Sequence, residues 1–229
     1  MELALDTSTD VSGLALSRQG EVLAEMSWLS GQNHSRQLFP ALEDLVTRTG
    51  VGLEEIRAVF VAVGPGSFNG LRVGVAAAKG LAFALDAPLV GISTLEIEAL
   101  PFRAAGLPIC PVHGAGRGDV AAALFQEREG RWERLWEDQL LPPQELLSRL
   151  PRKTLLCGEM RPDFLAQVQA WEGEAVIPSP AARRRRPAFL AELGWLRLQE
   201  RGPDSAAGLQ PVYLRRPPIT PRKEERHAR

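Results

Sequence analysis

The sequence is poor in cysteine and histidine, and this scarcity argues against several kinds of site. Its two cysteines, Cys110 and Cys157, lie far apart and form no C-x-x-C pair. The pattern therefore predicts neither a disulfide framework nor a zinc site but two reduced thiols in the cytoplasm. The three histidines, His34, His113 and His227, fall in three separate segments, so we expect each to be hydrogen-bonded locally or to face solvent.

An excess of one charge and a long apolar run are also missing. The net charge is -1, so no overall basic field attracts nucleic acid, and any contact with nucleic acid has to be local. No uncharged apolar stretch reaches the roughly 18 residues of a membrane span. The opening MELALDTSTD carries acids and is not typical of a signal peptide. With 45% hydrophobic residues, the chain is predicted to be a soluble, cytoplasmic globular protein.

The first part of the chain predicts a mixed sheet flanked by helices. Three short strands, a helix, a strand, a long helix and a strand follow one another, at residues 2–6, 12–17, 21–29, 35–49, 58–63, 70–85 and 88–93. Pro40 is expected to kink the first helix or to mark its start. Because this β-β-β-α-β-α-β order is that of a ribonuclease-H-like lobe, we predict such a lobe over residues 1–99.

A weaker second copy of the same pattern follows. Three strands, a helix, a strand and a helix are predicted at residues 108–114, 120–126, 131–137, 144–150, 153–158 and 162–171. An amphipathic helix is then predicted at 187–202. We therefore expect a second lobe over residues 100–216, a cleft between the two lobes, and a basic, proline-rich and disordered tail at 217–229.

The glycine-rich segment VFVAVGPGSFNGLRVGVAAAKGLAFAL, residues 59–85, resembles a phosphate-binding loop but lacks its chemistry. No lysine followed by serine or threonine is present, and the glycine spacing is too long for a dinucleotide fingerprint. The start of the helix could still hold an anion. Glycines selected for positive φ or for close packing are the favoured explanation.

The helix after this loop is apolar on every face. Between Leu71 and Leu85 only Arg72 and Lys79 are charged, so two sides of the helix are expected to be buried. One side covers the sheet, and the other contacts either the first helix of the chain or a partner protein. The predicted contact residues on the two helices are Leu38, Leu42, Leu45, Gly70, Gly74, Ala77, Ala78 and Leu81.

The opening DTSTD is the other candidate site. Asp6 at the end of a first strand, followed by Thr7, Ser8 and Thr9, stands where the actin, sugar-kinase and Hsp70 superfamily holds magnesium and phosphate. Thr7 and Ser8 fill places where a close approach to phosphate needs glycine. We therefore favour a capped tight turn, with Asp6, Thr7 and Ser8 as a vestigial nucleotide site.

Five segments together resemble one protein family. These are LALDTST, HSRQLFPALEDL, GPGSFNGLRVGVAAAKGLA, PLVGISTLEIEAL and PVYLRR, and the chain that carries them is similar nearly end to end to the bacterial TsaB family, also called YeaZ. Asn69 departs from the threonine usual in that family. His113 and Gly114 depart from its aspartate-alanine-arginine segment.

The resemblance implies two lobes of the actin/Hsp70/sugar-kinase (ASKHA) fold, without a cofactor. It also implies a role in forming N6-threonylcarbamoyladenosine at position 37 of tRNAs that read codons starting with A. In that family the protein is a non-catalytic subunit that pairs with the catalytic protein TsaD, and the ATPase TsaE joins them. TsaD carries two metal-binding histidines where this chain has Thr94 and Glu98, so metal chemistry is not expected here.

Three further expectations concern partners and the alternative function. Alone, the protein is expected to form a homodimer through the surface that binds TsaD. The run Arg183, Arg184, Arg185 and Arg186 and the basic tail are expected either to be solvated or to contact tRNA phosphates. The alternative function is an independent nucleotide-dependent enzyme in which Asp6 holds magnesium.

Overall fold

The first half of the chain forms a five-stranded mixed sheet in the computed structural model, which describes residues 1–215. Its strands are β1 (Glu2–Asp6), β2 (Val11–Arg18), β3 (Glu21–Leu29), β4 (Ala58–Gly64) and β5 (Leu89–Ser93). The spatial order is β3-β2-β1-β4-β5, in which β2 is antiparallel to β1 and β3, and β4 and β5 run parallel to β1.

The second half repeats this sheet strand for strand. Its strands are β6 (Ile109–Gly114), β7 (Val120–Arg128), β8 (Arg131–Leu141), β9 (Lys153–Cys157) and β10 (Glu174–Val176). Their order is β8-β7-β6-β9-β10, with the same parallel and antiparallel pairings as the first sheet. The predicted pair of ribonuclease-H-like lobes is therefore confirmed.

Six helices cover the faces of the two sheets within residues 1–215. They are α1 (His34–Thr49), α2 (Phe68–Ala84), α3 (Thr94–Ala99), α4 (Pro143–Arg149), α5 (Pro162–Gln169) and α6 (Pro187–Arg201). One face of the first sheet packs against α1 and α2, and its other face packs against α6. In the second lobe, α4 and α5 cover one face and α3 lies on the other. Because both faces of β1 and β4 are covered, every residue of both strands is buried; β4 is wholly apolar, and β1 is apolar between Glu2 and Asp6 at its two ends.

The helices α3 and α6 connect the lobes. The α3 helix follows β5 of the first lobe directly but packs on β6 and β7 of the second. The α6 helix follows the second sheet but packs on the first. The chain after α6 stays on the first sheet, where Asp204 N donates to Leu89 O at 2.8 Å and Val212 N donates to Val63 O at 2.7 Å.

Several element boundaries differ from those predicted. Pro40 lies inside α1, which begins earlier, at His34. The β8 strand continues to Leu141, and α3 and β10 were not predicted because α3 follows β5 without a loop and β10 has three residues. The predicted lobe boundaries, 1–99 and 100–216, remain a prediction. The α6 helix falls within the second range but packs on the first sheet. The predicted tail at 217–229 lies outside the described residues.

No helix within residues 1–215 combines the length and apolar character needed to cross a membrane.

Candidate site between the two lobes

The turn after β1 places a carboxylate at the cleft between the lobes. Asp6, the last residue of β1, is 3% exposed. Its Oδ1 accepts hydrogen bonds from the Ser8 backbone N at 2.9 Å and from Ser8 Oγ at 2.6 Å. The DTSTD segment is therefore a capped tight turn in which the backbone and hydroxyl of Ser8 both bind one oxygen of the Asp6 carboxylate.

The other half of the Asp6 carboxylate is bound by an arginine that is distant in sequence. Arg185, in the segment before α6, donates from Nε to Asp6 Oδ2 at 2.5 Å. The Arg185 side chain is 2% exposed and that of Asp6 is 4% exposed. The Arg185 Nη2 group also donates to Thr9 Oγ1 at 2.8 Å. A buried guanidinium thus lies on the carboxylate that the sequence identified as a potential magnesium ligand.

The same guanidinium reaches two further carboxylates. Its Nη1 donates to Glu98 Oε1 at 3.0 Å and to Glu159 Oε1 at 3.2 Å. Glu98 lies on α3, and Glu159 follows β9, so the arginine ties α3 and both sheets together. We call Asp6, Thr9, Glu98, His113, Glu159 and Arg185 the interlobe cluster.

His113, on β6, completes the cluster through the second oxygen of Glu98. The His113 Nε2 and Glu98 Oε2 atoms are 2.6 Å apart, and both side chains are buried. Burial lowers the pKa of His113, but the charge and hydrogen bond of Glu98 outweigh it, so the net pKa is raised. Since the Arg185 guanidinium faces three carboxylates, a protonated His113 brings the cluster close to charge balance.

This raised pKa predicts how stability depends on pH. A group whose pKa is raised by folding stabilises the protein fully below its unfolded pKa, and the contribution is lost as the pH rises through the folded pKa. The free energy of unfolding of the wild type is therefore expected to fall as the pH rises from 6.5 through the raised pKa of His113. Urea unfolding at a series of pH values measures this effect.

The control for this prediction is His113→Gln, which removes the titrating ring and keeps a hydrogen-bond donor for Glu98. It is expected to remove the decline above pH 6.5 and to leave the acid limb, which carboxylates produce. An identical decline in wild type and variant would show that His113 is not its source.

The glycine-rich loop packs tightly against the turn after β1. A Cβ atom at Gly66 would lie 2.1 Å from Ser8 O, and one at Gly70 would lie 2.1 Å from Thr7 O. Across the same contact, Ser67 N donates to Ser8 O at 2.6 Å. These glycines allow two backbones to touch, which is the close-packing explanation favoured from the sequence.

The interlobe cluster is a poor fit for magnesium. The Asp6 carboxylate accepts three hydrogen bonds, one of them from a guanidinium whose positive charge repels a second cation. The Thr7 and Ser8 hydroxyls are also engaged, by Gly70 O and by Asp6. Within residues 1–215, no three His, Cys, Asp or Glu side chains are grouped so that they could hold a metal ion.

The predicted partner-contact residues are mostly internal. Six of the eight are buried in the first lobe, where they pack beneath α1 and α2: Leu38, Leu42, Leu45, Gly70, Gly74 and Ala78. Ala77 and Leu81 are half-buried against the same core. The small residues at Gly70 and Gly74 approach Thr7 of the same chain. Pairing of the two helices with a partner remains a prediction.

The outward face of α2 carries different small residues. Asn69, Arg72, Ala76, Gly80 and Phe83 are exposed and follow helical spacing. A Cβ atom at Gly80 would meet nothing within 4 Å, and Phe83 is 90% exposed. On α1, Phe39 is 52% exposed. The reachable surface of α2 thus begins with Asn69 and Arg72, continues with the small residues Ala76 and Gly80, and carries an exposed aromatic ring at Phe83.

The arginine run before α6 is divided between interior and surface. Arg185 is buried in the interlobe cluster, so its predicted availability to tRNA phosphates is wrong. Arg186 is exposed and pairs with Glu25. Arg184 is exposed, and Arg183 is partly buried with Nη1 lacking a hydrogen-bond partner within residues 1–215.

The two histidines within residues 1–215 are both buried and hydrogen-bonded. His34 Nδ1 lies 2.9 Å from Ser12 Oγ, and its pKa is lowered by burial against the opposing charges of Asp10 and Asp6. Sequence reasoning identified Asp6 but missed His113, Glu98, Glu159 and Arg185 as one cluster. Nothing in a run of four arginines indicates which one is buried.

Comparison with known sequences supplies the family context. Residues 27–167 match the profile of the family described as "TsaD: tRNA N6-adenosine threonylcarbamoyltransferase". The tRNA threonylcarbamoyladenosine biosynthesis protein TsaB of Bacillus subtilis is 34% identical over 219 residues, which cover 93% of each chain. The tRNA N6-adenosine threonylcarbamoyltransferase of Nitratidesulfovibrio vulgaris is 39% identical over 120 residues, 46% of this chain and 32% of that protein.

Solved structures agree with the sequence comparisons. YeaZ from Pseudomonas aeruginosa superposes with a TM-score of 0.77 at 26% identity, covering 93% of this chain and 99% of that one. The activator of 2-hydroxyisocaproyl-CoA dehydratase from Clostridium difficile, solved with bound ADPNP, has a TM-score of 0.51 at 14% identity and covers 87% of this chain and 96% of that one. The second similarity concerns the fold alone and confirms the expected ASKHA architecture.

Proposed function

The chain belongs to the TsaB family of tRNA threonylcarbamoyladenosine biosynthesis proteins, and we propose that it serves this pathway as a non-catalytic subunit that binds a catalytic partner. Such a role needs a stable two-lobed body and an accessible contact surface. It does not need a nucleotide or a metal in the cleft.

The contact between Arg185 and Asp6 is the observation that carries this proposal. A nucleotide-dependent enzyme of this fold would use Asp6 to hold a magnesium ion beside phosphates. Here the position next to Asp6 is filled by a guanidinium 2.5 Å away, which also binds Glu98 and Glu159. Displacing it would leave buried carboxylates without their partner, which is energetically costly. The cleft is therefore held as a structural ion cluster.

The proposed partner is the transferase TsaD, and the outward face of α2 is its proposed contact surface. The matched transferase of Nitratidesulfovibrio vulgaris is related to this chain over 120 residues, so a related lobe on the partner supports side-by-side pairing of similar helices. Ala76 and Gly80 allow a second helix to approach closely, and the exposed Phe83 adds apolar surface. Without TsaD, the same face is proposed to pair with a second copy of the chain.

The proposals about TsaE, the cytoplasm and tRNA do not depend on the contact between Arg185 and Asp6. TsaE is proposed to join the pair, and the protein is proposed to act in the cytoplasm. Contact with tRNA is proposed to be indirect or to involve exposed arginines such as Arg184. Arg185 is not included, because it is held inside the protein.

Calorimetric titration with ATP and magnesium separates this proposal from the nucleotide-dependent alternative. Because Arg185 occupies the Asp6 carboxylate, we expect no binding in the micromolar range to the wild type. Asp6→Asn, which removes the charge at similar size, serves as the matched control and is expected to give the same flat titration. Micromolar binding by the wild type that Asp6→Asn abolishes would establish the enzyme alternative.

A further inference from the structure

A cavity opens between the lobes, and Thr9, His113 and Glu159 of the interlobe cluster form part of its lining. Its volume is about 640 Å³, which lies within the range of small-molecule sites. Two motifs that identify the family form part of its wall. The GPGSF loop contributes Pro65 to Phe68, and the PVYLR segment contributes Val212 to Arg215. The hydrogen bond from Val212 N to Val63 O holds the second segment beside the first.

One wall of this cavity is aromatic and partly exposed. The rings of Phe68 and Tyr213 have centroids 4.9 Å apart, and the two residues are 36% and 38% exposed. The Arg72 guanidinium already lies 5.2 Å from the Phe68 ring centroid. This is the geometry in which an aromatic face attracts a cation. The wall therefore suits an apolar stem that ends in a positive charge.

The charged residues of the cavity favour a cation over an anion. Its two arginines are neutralised by neighbours, since Arg161 pairs with Asp163 and Arg215 pairs with Asp119. Asp10, which also lines the cavity, is exposed and forms no ion pair within residues 1–215. Among the charged side chains that line the cavity, the one without an ion-pair partner within residues 1–215 is therefore a carboxylate.

Glu159 adds to this negative character. Its Oε1 accepts from Thr9 and Arg185, whereas Oε2 accepts no hydrogen bond within residues 1–215. The Glu159 side chain is 43% exposed. A phosphate in this cavity would approach two carboxylates, but a guanidinium or ammonium group would be attracted by both.

We propose that this cavity binds a cation carried on an alkyl stem, with an arginine-type guanidinium as the best match. The stem packs against Val212 and the rings of Phe68 and Tyr213, and the charge lies toward Asp10 and Glu159. A planar guanidinium stacks on aromatic rings and pairs with carboxylates better than a compact ammonium. The proposal is independent of the proposed function, because it concerns a different surface from the outward face of α2.

The test uses three small probes on the full chain, followed by NMR or calorimetry. N-acetyl-arginine methylamide carries the cation, N-acetyl-norleucine methylamide carries a similar stem without charge, and AMP carries an aromatic ring with a phosphate. The arginine derivative is expected to bind with millimolar or better affinity and at least about fivefold more tightly than the norleucine derivative. AMP is expected not to bind.

Two variants locate the binding. Asp10→Asn is expected to weaken binding of the arginine derivative about fivefold, and Tyr213→Leu about threefold. The matched control is Asp44→Asn, which removes a partly exposed carboxylate that pairs with Arg48 on α1, where neither residue lines the cavity. It is expected to leave the affinity unchanged. Equal affinity of wild type and Asp10→Asn, tighter binding of AMP, or absence of any binding would overturn the proposal.

A competition experiment with TsaD distinguishes the two possible sources of the cation. If the arginine belongs to a partner protein, a saturating concentration of the arginine derivative should reduce capture of TsaD by the wild type but not by Asp10→Asn. If the natural ligand is a free small molecule, capture is unchanged while binding of the derivative persists. Each result assigns the occupant of a confirmed site.

Discussion

Replacing Arg185 with methionine is expected to lower the free energy of unfolding by about 3–5 kcal/mol. Methionine keeps most of the buried volume but removes the guanidinium that Asp6, Glu98 and Glu159 share. Removing one partner of a buried ion network leaves the remaining charges uncompensated in a low-dielectric interior. Urea unfolding at neutral pH measures the loss.

Two controls connect the loss to the interlobe cluster. Arg184→Met makes the same chemical change at the exposed neighbouring position and is expected to shift stability by no more than about 0.5 kcal/mol. Adding Asp6→Asn to Arg185→Met is expected to restore part of the stability, because one uncompensated carboxylate is removed. A loss below about 1 kcal/mol in Arg185→Met would show that the cluster does not hold the lobes together.

Placing an arginine at Ala76 is expected to abolish both the homodimer and capture of TsaD. Ala76 is exposed in the middle of α2, and arginine is a good helix former, so the lobe should remain folded. In a helix-to-helix interface, however, a buried unpaired charge costs several kcal/mol, which corresponds to a loss of affinity of about 100-fold or more. Size-exclusion chromatography with light scattering measures the first effect, and a pull-down with purified TsaD measures the second.

The matched control is Ala166→Arg, the same change at an exposed position of α5 in the second lobe. It is expected to retain the homodimer and to capture TsaD as the wild type does. Circular dichroism and the melting temperature of both variants should match those of the wild type. Normal assembly of folded Ala76→Arg would move the contact surface away from α2.

The sequence predicted the architecture well because its signals were local. The order of apolar runs, turns and periodic segments identified two copies of one strand and helix pattern, and the observed sheets have identical topology. The resemblance of five segments to one family then identified the fold class. The elements that were missed, α3 and β10, are short and follow other elements closely.

Side-chain placement was less accessible from the sequence. The helical pattern of α2 showed that two sides are buried, but it could not show that Gly70 and Gly74 face the turn after β1 and that Ala76 and Gly80 face outward. Arg185 lies 179 positions from Asp6, and no local pattern links residues so far apart. Both placements depend on tertiary contacts, which a single sequence does not encode in its periodicity.

The most direct test of the account is the amount of threonylcarbamoyladenosine that a reaction reconstituted from purified TsaD, TsaE, tRNA and the threonylcarbamoyl donor forms with this protein. Mass spectrometry of digested tRNA provides the measurement. We expect abundant product with the wild type or Ala166→Arg, and product at the level of a reaction without this protein when Ala76→Arg is used. Full product in the absence of this protein, or with Ala76→Arg that fails to capture TsaD, would contradict its role as a partner-binding subunit.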